Sequence, residues 1–412
     1  MITIVDMIDK LLQVYFKPEE IMDYKNMLAR NSLTGKLFDS SLSIENKNQL
    51  DTEVVPDGIY HSKINLLITF SEKRLKQQQL VEFLQNLGEI SISQGELVTA
   101  AEIYFHIQKL ITDDPGQEIV RAHALIALGD ISSRQADWGK SISYINTALK
   151  LFLKHKDLKG AFRCENLLGT IAGERGDLDK ANKHFEKGLT YLRQKKDDVL
   201  IGLIEINLGI LNNIQGDYDT AFTFYQRALI KFEQIQNFRR ITEVRHNLGM
   251  LFTEKQEYQS ALSEFDQSIS SALKAGYLPT LALSYLGKAF IYTRLKDYPL
   301  ANAFADKAME ICFKLNDRLS IADIYKIKGI IERKQENFKG AENYLLSSLR
   351  INDELESVLN QAETSYELGI LYIETDRKTE ADKYLKFALN YYKKQKASSM
   401  VIKIQNLLDN LQ

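Results

Sequence analysis

Residues 207–225 read NLGILNNIQGDYDTAFTFY, and residues 247–265 read NLGMLFTEKQEYQSALSEF. The two stretches start 40 residues apart, and both begin with Asn-Leu-Gly. A tyrosine, an alanine and an aromatic residue then follow at the same spacing in each. Self-similarity at a fixed period of this length is typical of proteins built from stacked structural repeats.

The period extends along most of the chain, on several registers. Glycine occupies one register, at Gly129, Gly169, Gly209, Gly249, Gly329 and Gly369. Small residues occupy a second, at Ala101, Ser141, Ala181, Ala221, Ala261, Ala301, Ala341 and Ala381. Bulky apolar residues occupy a third, except for Ala305, at Phe105, Ile145, Phe185, Tyr225, Phe265, Leu345 and Leu385. The pattern predicts eight 40-residue repeats, over 82–121, 122–161, 162–201, 202–241, 242–281, 282–321, 322–361 and 362–401.

Each unit has the pattern of two amphipathic helices joined by a turn. In the unit 202–241, two sets of apolar residues spaced by three and four flank Gln215-Gly216-Asp217, which supplies a helix stop and a capping side chain. We expect the glycine of the first helix to face the small residue of the second, so that the two helices cross closely. One pair cannot bury both of its faces, so the units should stack into an all-α solenoid.

The two ends of the chain depart from the repeat. Residues 1–81 form an N-terminal region that we expect to be mostly helical, with a loop near 32–58, although Ile64–Phe70 could also form a strand. Residues 402–412 continue the apolar spacing but carry Asp409 on the glycine register. They are predicted to form a C-terminal capping helix.

The order Leu-Gly, aromatic, alanine, aromatic in these units resembles the tetratricopeptide repeat, and the resemblance covers about 320 residues. It implies a right-handed superhelical solenoid whose first helices line a concave groove. The 40-residue spacing is similar to that of kinesin light chains, Pins-type adaptors and the bacterial Rap-like peptide sensors. Two features depart from the family: the proline usual near the end of each unit is missing, and Ala289 replaces the register glycine, with Gly287 two residues earlier.

Composition and motifs exclude several classes of function. The formal charge of −2, without a basic block, disfavours a nucleic-acid partner, and no apolar run is long enough to predict a membrane span. The two cysteines, Cys164 and Cys312, are expected to be buried packing residues, and the scattered histidines predict no metal site. No phosphate-binding loop or catalytic constellation is present, so we expect a protein that is not an enzyme and needs no cofactor. Asp6 and Asp9 lie where a secretory signal would be uninterruptedly apolar, so we also expect a cytoplasmic protein.

The resemblance also implies which positions would contact a ligand in the concave groove. Asn207 and Asn247 occupy the same register in consecutive units, and an asparagine amide can both donate to and accept from a peptide backbone. The alternative is that they are solvated polar positions. The other candidates for a peptide or protein ligand are Asn166, His246, Arg163, Glu243, Lys326 and His123.

Two functional classes stay open. The first is a non-catalytic scaffold whose groove binds a peptide or a partner protein. The second is a peptide-controlled bacterial regulator, similar to the Rap proteins, whose N-terminal helical region acts on a response regulator. No motif in residues 1–81 decides between them, and the sequence does not predict the oligomeric state.

Overall fold

The computed structural model describes residues 4–33, 58–111, 115–192 and 197–411. The described residues are 87% helical and contain no strand. Twenty α-helices follow one another in this part of the chain: α1 Ile4–Tyr15, α2 Pro18–Leu33, α3 Gly58–Glu72, α4 Gln77–Ser93, α5 Leu97–Leu110, α6 Glu118–Arg134, α7 Trp138–Lys154, α8 Leu158–Glu174, α9 Leu178–Leu192, α10 Asp198–Gln215, α11 Tyr218–Gln234, α12 Phe238–Glu254, α13 Tyr258–Ala275, α14 Leu278–Arg294, α15 Tyr298–Leu315, α16 Arg318–Lys334, α17 Phe338–Glu354, α18 Val358–Glu374, α19 Lys378–Lys394 and α20 Ser398–Asp409.

Helices α4 to α19 pack in adjacent pairs, so that the described residues contain eight first and second helices in alternation. The first helix of each pair begins about four residues before the predicted repeat boundary; α6, for example, starts at Glu118 rather than at 122. Boundaries drawn on the registers therefore fall inside the first helices. Helix α20, which starts at Ser398 rather than 402, packs on α19 at the end of the array.

The turns recur every 20 residues, twice in each repeat. A residue with positive φ ends most helices, as at Ala136, Lys156, Gly176, Gly216 and Gln236, and this left-handed conformation closes the helix C-terminus. The next helix commonly starts with an aspartate or asparagine cap, such as Asp217, whose side chain accepts from the Thr220 N–H. Equal turns at both ends of each helix make the two halves of a repeat the same length.

The register glycine lies beside the small residue of the second helix, as expected: Ser141 Oγ donates to the Gly129 carbonyl at 2.7 Å, and a Cβ at Gly329 would lie 3.2 Å from the Ala341 carbonyl oxygen. The side chain nearest to the glycine, however, is the bulky one on the third register. A Cβ at Gly209 would lie 2.5 Å from Cε1 of Tyr225, and one at Gly249 would lie 2.7 Å from Cε1 of Phe265. The glycine thus makes room for the bulky side chain on the third register. The same contact joins Gly129 to Ile145, Gly169 to Phe185, Gly329 to Leu345 and Gly369 to Leu385.

The repeat 282–321, which has no glycine on the first register, also lacks the bulky residue that this glycine accommodates elsewhere. Ala289, which replaces the glycine, belongs to the same repeat as Ala305, which replaces the bulky residue, and both are fully buried in one cluster. Gly287 instead lies against the ring of Phe265 in the preceding helix, where a Cβ would come within 2.3 Å of Cζ. Ala289 is larger than the usual glycine and Ala305 is smaller than the usual bulky residue, so α14 still packs closely on α15.

The N-terminal helices share a hydrophobic core with the first pair of the array. Leu12 and Phe16 of α1, Tyr24 of α2 and Ile64 of α3 lie in one cluster with residues of α4 and α5. The segment Ile64–Phe70, for which a strand was an alternative, lies within α3. The predicted loop near 32–58 falls almost wholly outside the described residues.

The array winds back on itself, and its early turns contact its late ones along a line that we call the seam. The seam consists of the turns 94–96, 135–138 and 174–177 on one side and the linkers 275–278, 315–319, 355–359 and 394–397 on the other. Trp138 Nε1 donates to the Leu355 carbonyl at 2.7 Å, and Gln395 Nε2 donates to the Gly176 carbonyl at 2.9 Å. Gln94 Nε2 reaches the Gly276 carbonyl at 3.1 Å. These contacts join positions 182 to 219 residues apart, so one superhelical turn takes about five repeats.

Candidate peptide-binding surface

The first helices form a continuous inner wall, α6–α8–α10–α12–α14–α16–α18, in which each helix contacts the next first helix. The second helices make no comparable contacts with one another in the described part of the chain. Because the inner side of a curved array has the smaller radius, the first helices lie on its concave side. All eight candidate residues lie on these helices.

The three candidate asparagines lie on consecutive first helices, α8, α10 and α12. Asn207 Nδ2 donates to Asn166 Oδ1 at 2.9 Å, which links two units through their side chains. Asn247 is half-buried, and its amide has no hydrogen-bond partner within the described ranges. We call these three residues the asparagine row; it keeps free donor and acceptor capacity on the inner wall.

Arginines and acids form a second group, which joins opposite parts of the superhelix. Glu243 pairs with Arg240 at 2.6 Å, and Arg239 of the same helix donates to the Tyr277 hydroxyl at 3.4 Å. Arg134, from a unit about three repeats earlier, pairs with Asp130 at 3.1 Å and lies within electrostatic reach of Tyr277. The seam therefore positions α6 against the linker between α13 and α14.

Lys326 belongs to a third group, near the other end of the array. Its amino group pairs with Asp323 at 3.0 Å and with Glu363 of α18 at 2.5 Å. Glu254, the last residue of α12, lies within electrostatic reach of Glu363 and of three cations: Lys403, Arg294 and Lys326. Desolvation by the surrounding protein raises the pKa of Glu254, although the side chain is still exposed, and the charge of Glu363 raises it further.

The two candidate histidines pack against aromatic rings of the second helices. The His123 ring lies 5.0 Å from that of Phe152, and the His246 ring lies 5.6 Å from that of Phe265. Burial lowers the pKa of His246 to about 4, so this imidazole is neutral at pH 7. Burial also lowers the pKa of His123, and the charge of Arg163 adds to the effect. Arg163 itself is exposed on α8 and forms no ion pair in the described part of the chain.

Two charged residues of the inner wall were not among the predicted ligand-binding positions. Arg134 and Glu174 end α6 and α8, on the same 40-residue register as Glu254, Arg294 and Lys334. Desolvation by the surrounding protein raises the pKa of Glu174 to about 7, although this side chain is still exposed to solvent, and the charges of Asp317 and Asp323 contribute. A charged residue at the end of most first helices was the signal that could have identified both.

Other sites are not found in the residues that the structure describes. No group of three or more histidine, cysteine, aspartate or glutamate side chains is placed to hold a metal ion in those ranges. No described helix is both long and apolar enough to cross a bilayer. Cys164 and Cys312 are both buried, as expected for packing residues.

The comparisons with known proteins concern the fold. No family model matches the chain, and no curated protein matches its sequence. One similar solved structure is a Rap protein complexed with competence and sporulation factor, with a TM-score of 0.53 and 12% identity, covering 81% of this chain and 98% of that one. Another is the Rap conjugation gene regulator of plasmid pLS20 in complex with the Phr* peptide, with a TM-score of 0.55 and 14% identity, covering 80% of this chain and 97% of that one. At these identities the likeness shows a shared helical-repeat fold and no more.

Proposed function

We propose that the chain is a non-catalytic, cytoplasmic tetratricopeptide-type array that binds an extended peptide, or an extended segment of a protein, on its inner wall. The observation that carries the proposal is the asparagine row, which places amides on three consecutive first helices and links two of them directly. An extended peptide presents a carbonyl and an N–H group at regular intervals, and an amide side chain can pair with both. The bound Phr* peptide described for one structure of the same fold supports the choice of ligand class.

The charged groups along the same wall would set which peptides bind. The arginine group with Tyr277 lies toward one end, and the group around Lys326 and Glu254 lies toward the other. Many of these charges are paired within the protein, so a peptide must compete with existing ion pairs to bind there. The wall should therefore bind the ligand mainly through the peptide backbone. The charged side chains of the wall would determine which peptide sequences bind.

A library of random ten-residue peptides passed over the immobilised protein tests this proposal. The best peptide is resynthesised, and its Kd is measured by calorimetry for the protein and for the double variant Asn207→Ala with Asn247→Ala. We expect the Kd to weaken about tenfold or more, because two backbone hydrogen bonds are lost. Methylating the peptide nitrogens at the contacted positions should weaken binding to a similar degree.

The matched control is Asn302→Ala with Asn343→Ala, which makes the same change on the second helices α15 and α17. This variant should bind like the unmodified chain. Equal binding by the Asn207/Asn247 variant, or the absence of any saturable peptide, would contradict the proposal.

The alternative function, a peptide-controlled regulator, is favoured by one separate observation. Val14 of α1 and Met22 of α2 are 74% and 59% exposed, although their neighbours Leu12 and Phe16 are buried in the N-terminal cluster. Exposed apolar side chains on two adjacent helices are suited to contact a partner protein. In this reading the array would sense the peptide and the N-terminal helices would bind a response regulator.

Purified receiver domains of bacterial response regulators are the probe for this alternative. Val14→Asp with Met22→Asp should abolish any capture of a receiver domain while leaving peptide affinity unchanged. Gln13→Asp, an exposed change on the same helix, should preserve capture. If no receiver domain binds the unmodified chain, with or without peptide, the regulator reading is wrong and the scaffold reading stands.

A further inference from the structure

A pocket of about 640 Å³ lies on the seam, and none of the candidate peptide-binding residues lines it. Helices α7, α8 and α9 with the turn 175–177 form one side, and α18 and α19 form the other. The residues of the two sides are about five repeats apart, so the pocket exists only because the superhelix closes on itself. Its volume lies in the range of roughly 300–1,000 Å³ that is typical of small-molecule sites.

The interior of the pocket is mostly apolar. Leu168, Ile171 and Ala172 of α8 form the floor, and they are almost fully buried. Phe387 and Val358 line the pocket from the other side of the seam. Their side chains are 42% and 37% exposed, although they lie where the two sides of the seam meet. A small apolar group that entered here would cover both side chains.

Cations surround this apolar interior. Arg175, Lys180 and Lys394 line the pocket with a single acid, Asp177. The side chains of Lys180 and Lys394 have no acidic or hydrogen-bonding partner in the described ranges, whereas Arg175 pairs with Glu356 at 3.0 Å. Asp177 caps α9 by accepting from the Lys180 N–H at 3.2 Å. Two lysines are thus left to receive a negative charge.

One polar group in the wall is buried without a partner. Tyr391 is only 6% exposed, and its hydroxyl makes no hydrogen bond within the described residues. Its ring packs beside Gly176, where a Cβ would lie 2.9 Å from Cε2, and the φ of +78° at this residue favours glycine. A buried hydroxyl without a partner is unfavourable, so an acceptor atom that reached this wall would be stabilised.

We propose that the seam pocket binds a small amphipathic carboxylate of the medium-chain fatty acid class. The hydrocarbon chain would cover Leu168, Ile171 and Phe387, and the carboxylate would lie between Lys180 and Lys394. A phosphate or nucleotide is a poorer fit, because Asp177 already occupies the N-terminus of α9 and Arg175 is already paired. Since the ligand contacts both sides of the seam, it would also favour the closed superhelix.

Sodium decanoate is the probe, and calorimetry on the full-length chain is the measurement. We expect saturable binding with one site. The variant Lys180→Glu with Lys394→Glu should weaken the Kd about tenfold or more, because both favourable charges become repulsive. The control, Lys183→Glu with Lys393→Glu, makes the same change on exposed positions of the same two helices and should stay within about twofold.

Two further probes test the parts of the ligand separately. Decanol keeps the chain but lacks the charge, and it should bind about tenfold more weakly than decanoate. Acetate keeps the charge but lacks the chain, and it should not bind measurably. Equal Kd values for decanoate in the two charge-reversal variants, equal binding of decanol, or no saturable decanoate binding would each overturn the proposal.

Discussion

At the scale of single residues, the register glycines are needed for their small size and not for their backbone flexibility. These glycines are helical, and each leaves room for a large side chain 16 residues later, as Gly209 does for Tyr225. In the unit with Ala289 and Ala305, both partners are small, and both are fully buried in one cluster.

This volume constraint predicts opposite effects for two glycine-to-alanine changes. Gly209→Ala should lower the free energy of unfolding by about 1–3 kcal/mol, because its methyl group would overlap the Tyr225 ring. Gly173→Ala is the control: a Cβ there meets nothing within 4 Å, and alanine favours the helix by up to about 1 kcal/mol. Urea unfolding followed by circular dichroism measures both. A Gly209→Ala variant as stable as the Gly173→Ala variant would contradict the packing argument.

Glu174 predicts a pH dependence of stability. Its pKa is about 7 in the folded protein against a usual value of 4.5, so between these limits the folded state binds more protons than the unfolded chain. Stability should therefore fall as the pH rises from about 5 to 8. The variant Glu174→Gln should match the unmodified chain in Tm at pH 5 and exceed it at pH 8.

The control for this experiment is Glu310→Gln, which removes a carboxylate from an exposed position on α15. Its difference in Tm from the unmodified chain should not change between the two pH values. A constant difference for Glu174→Gln as well would mean that neither desolvation nor the charges of Asp317 and Asp323 raise the pKa of this carboxyl.

At the scale of elements, helix length is set by paired stop and start signals. Most helices of the array have 17 residues, followed by a residue with positive φ and a capping position. Capping positions with Asp or Asn, such as Asp217 and Asn337, accept a backbone N–H three residues on, whereas Glu257 does not. The side chain of glutamate is one methylene longer, and it is a weaker cap than aspartate.

Glu257→Asp should therefore stabilise the protein. We expect a gain of about 0.5–1 kcal/mol in the free energy of unfolding, because the shorter carboxylate can accept from the free N–H groups of the first turn of α13. Asp217→Ala, at the equivalent position before α11, should cost about 1 kcal/mol. Thermal unfolding measures both variants, and a loss of stability in Glu257→Asp would show that this turn cannot form the cap.

How much of the fold follows from the sequence depends on whether the contacts repeat. The helix pairs lie on 40-residue registers, as do Asn207 and Asn247, so periodicity predicted them, whereas Asn166 is one position off that register. The seam rests on single donors, such as the indole of Trp138, the only tryptophan in the sequence, and the amide of Gln395, and it joins positions more than 180 residues apart. The partners of Glu243 and Lys326 also depend on curvature, which small angles between units determine and which no register encodes.

At the scale of the whole molecule, the seam turns an open array into a closed one and fixes the geometry of the inner wall. Its hydrogen bonds run mostly from side chains to backbone carbonyls of the opposite side, including Ser357 Oγ to the Glu174 carbonyl at 3.1 Å. Backbone carbonyls at buried positions lose water when the seam forms, and each must be satisfied by the opposing side chain. The closed state therefore depends on a few donors that no other part of the array replaces.

Removing three of these donors together should open the superhelix without unfolding its repeats. The variant Trp138→Phe, Ser357→Ala, Gln395→Met keeps similar side-chain volume, and each unmatched carbonyl should disfavour closure by about 1–3 kcal/mol. We expect a larger radius of gyration by small-angle X-ray scattering, faster amide exchange at 136–138 and 355–359, and unchanged helical circular dichroism. Because each helix pair retains its contacts with neighbouring pairs, helix content does not depend on the seam. An unchanged radius of gyration and unchanged exchange would mean that the curvature of the stacked pairs alone, rather than the seam, holds the array closed.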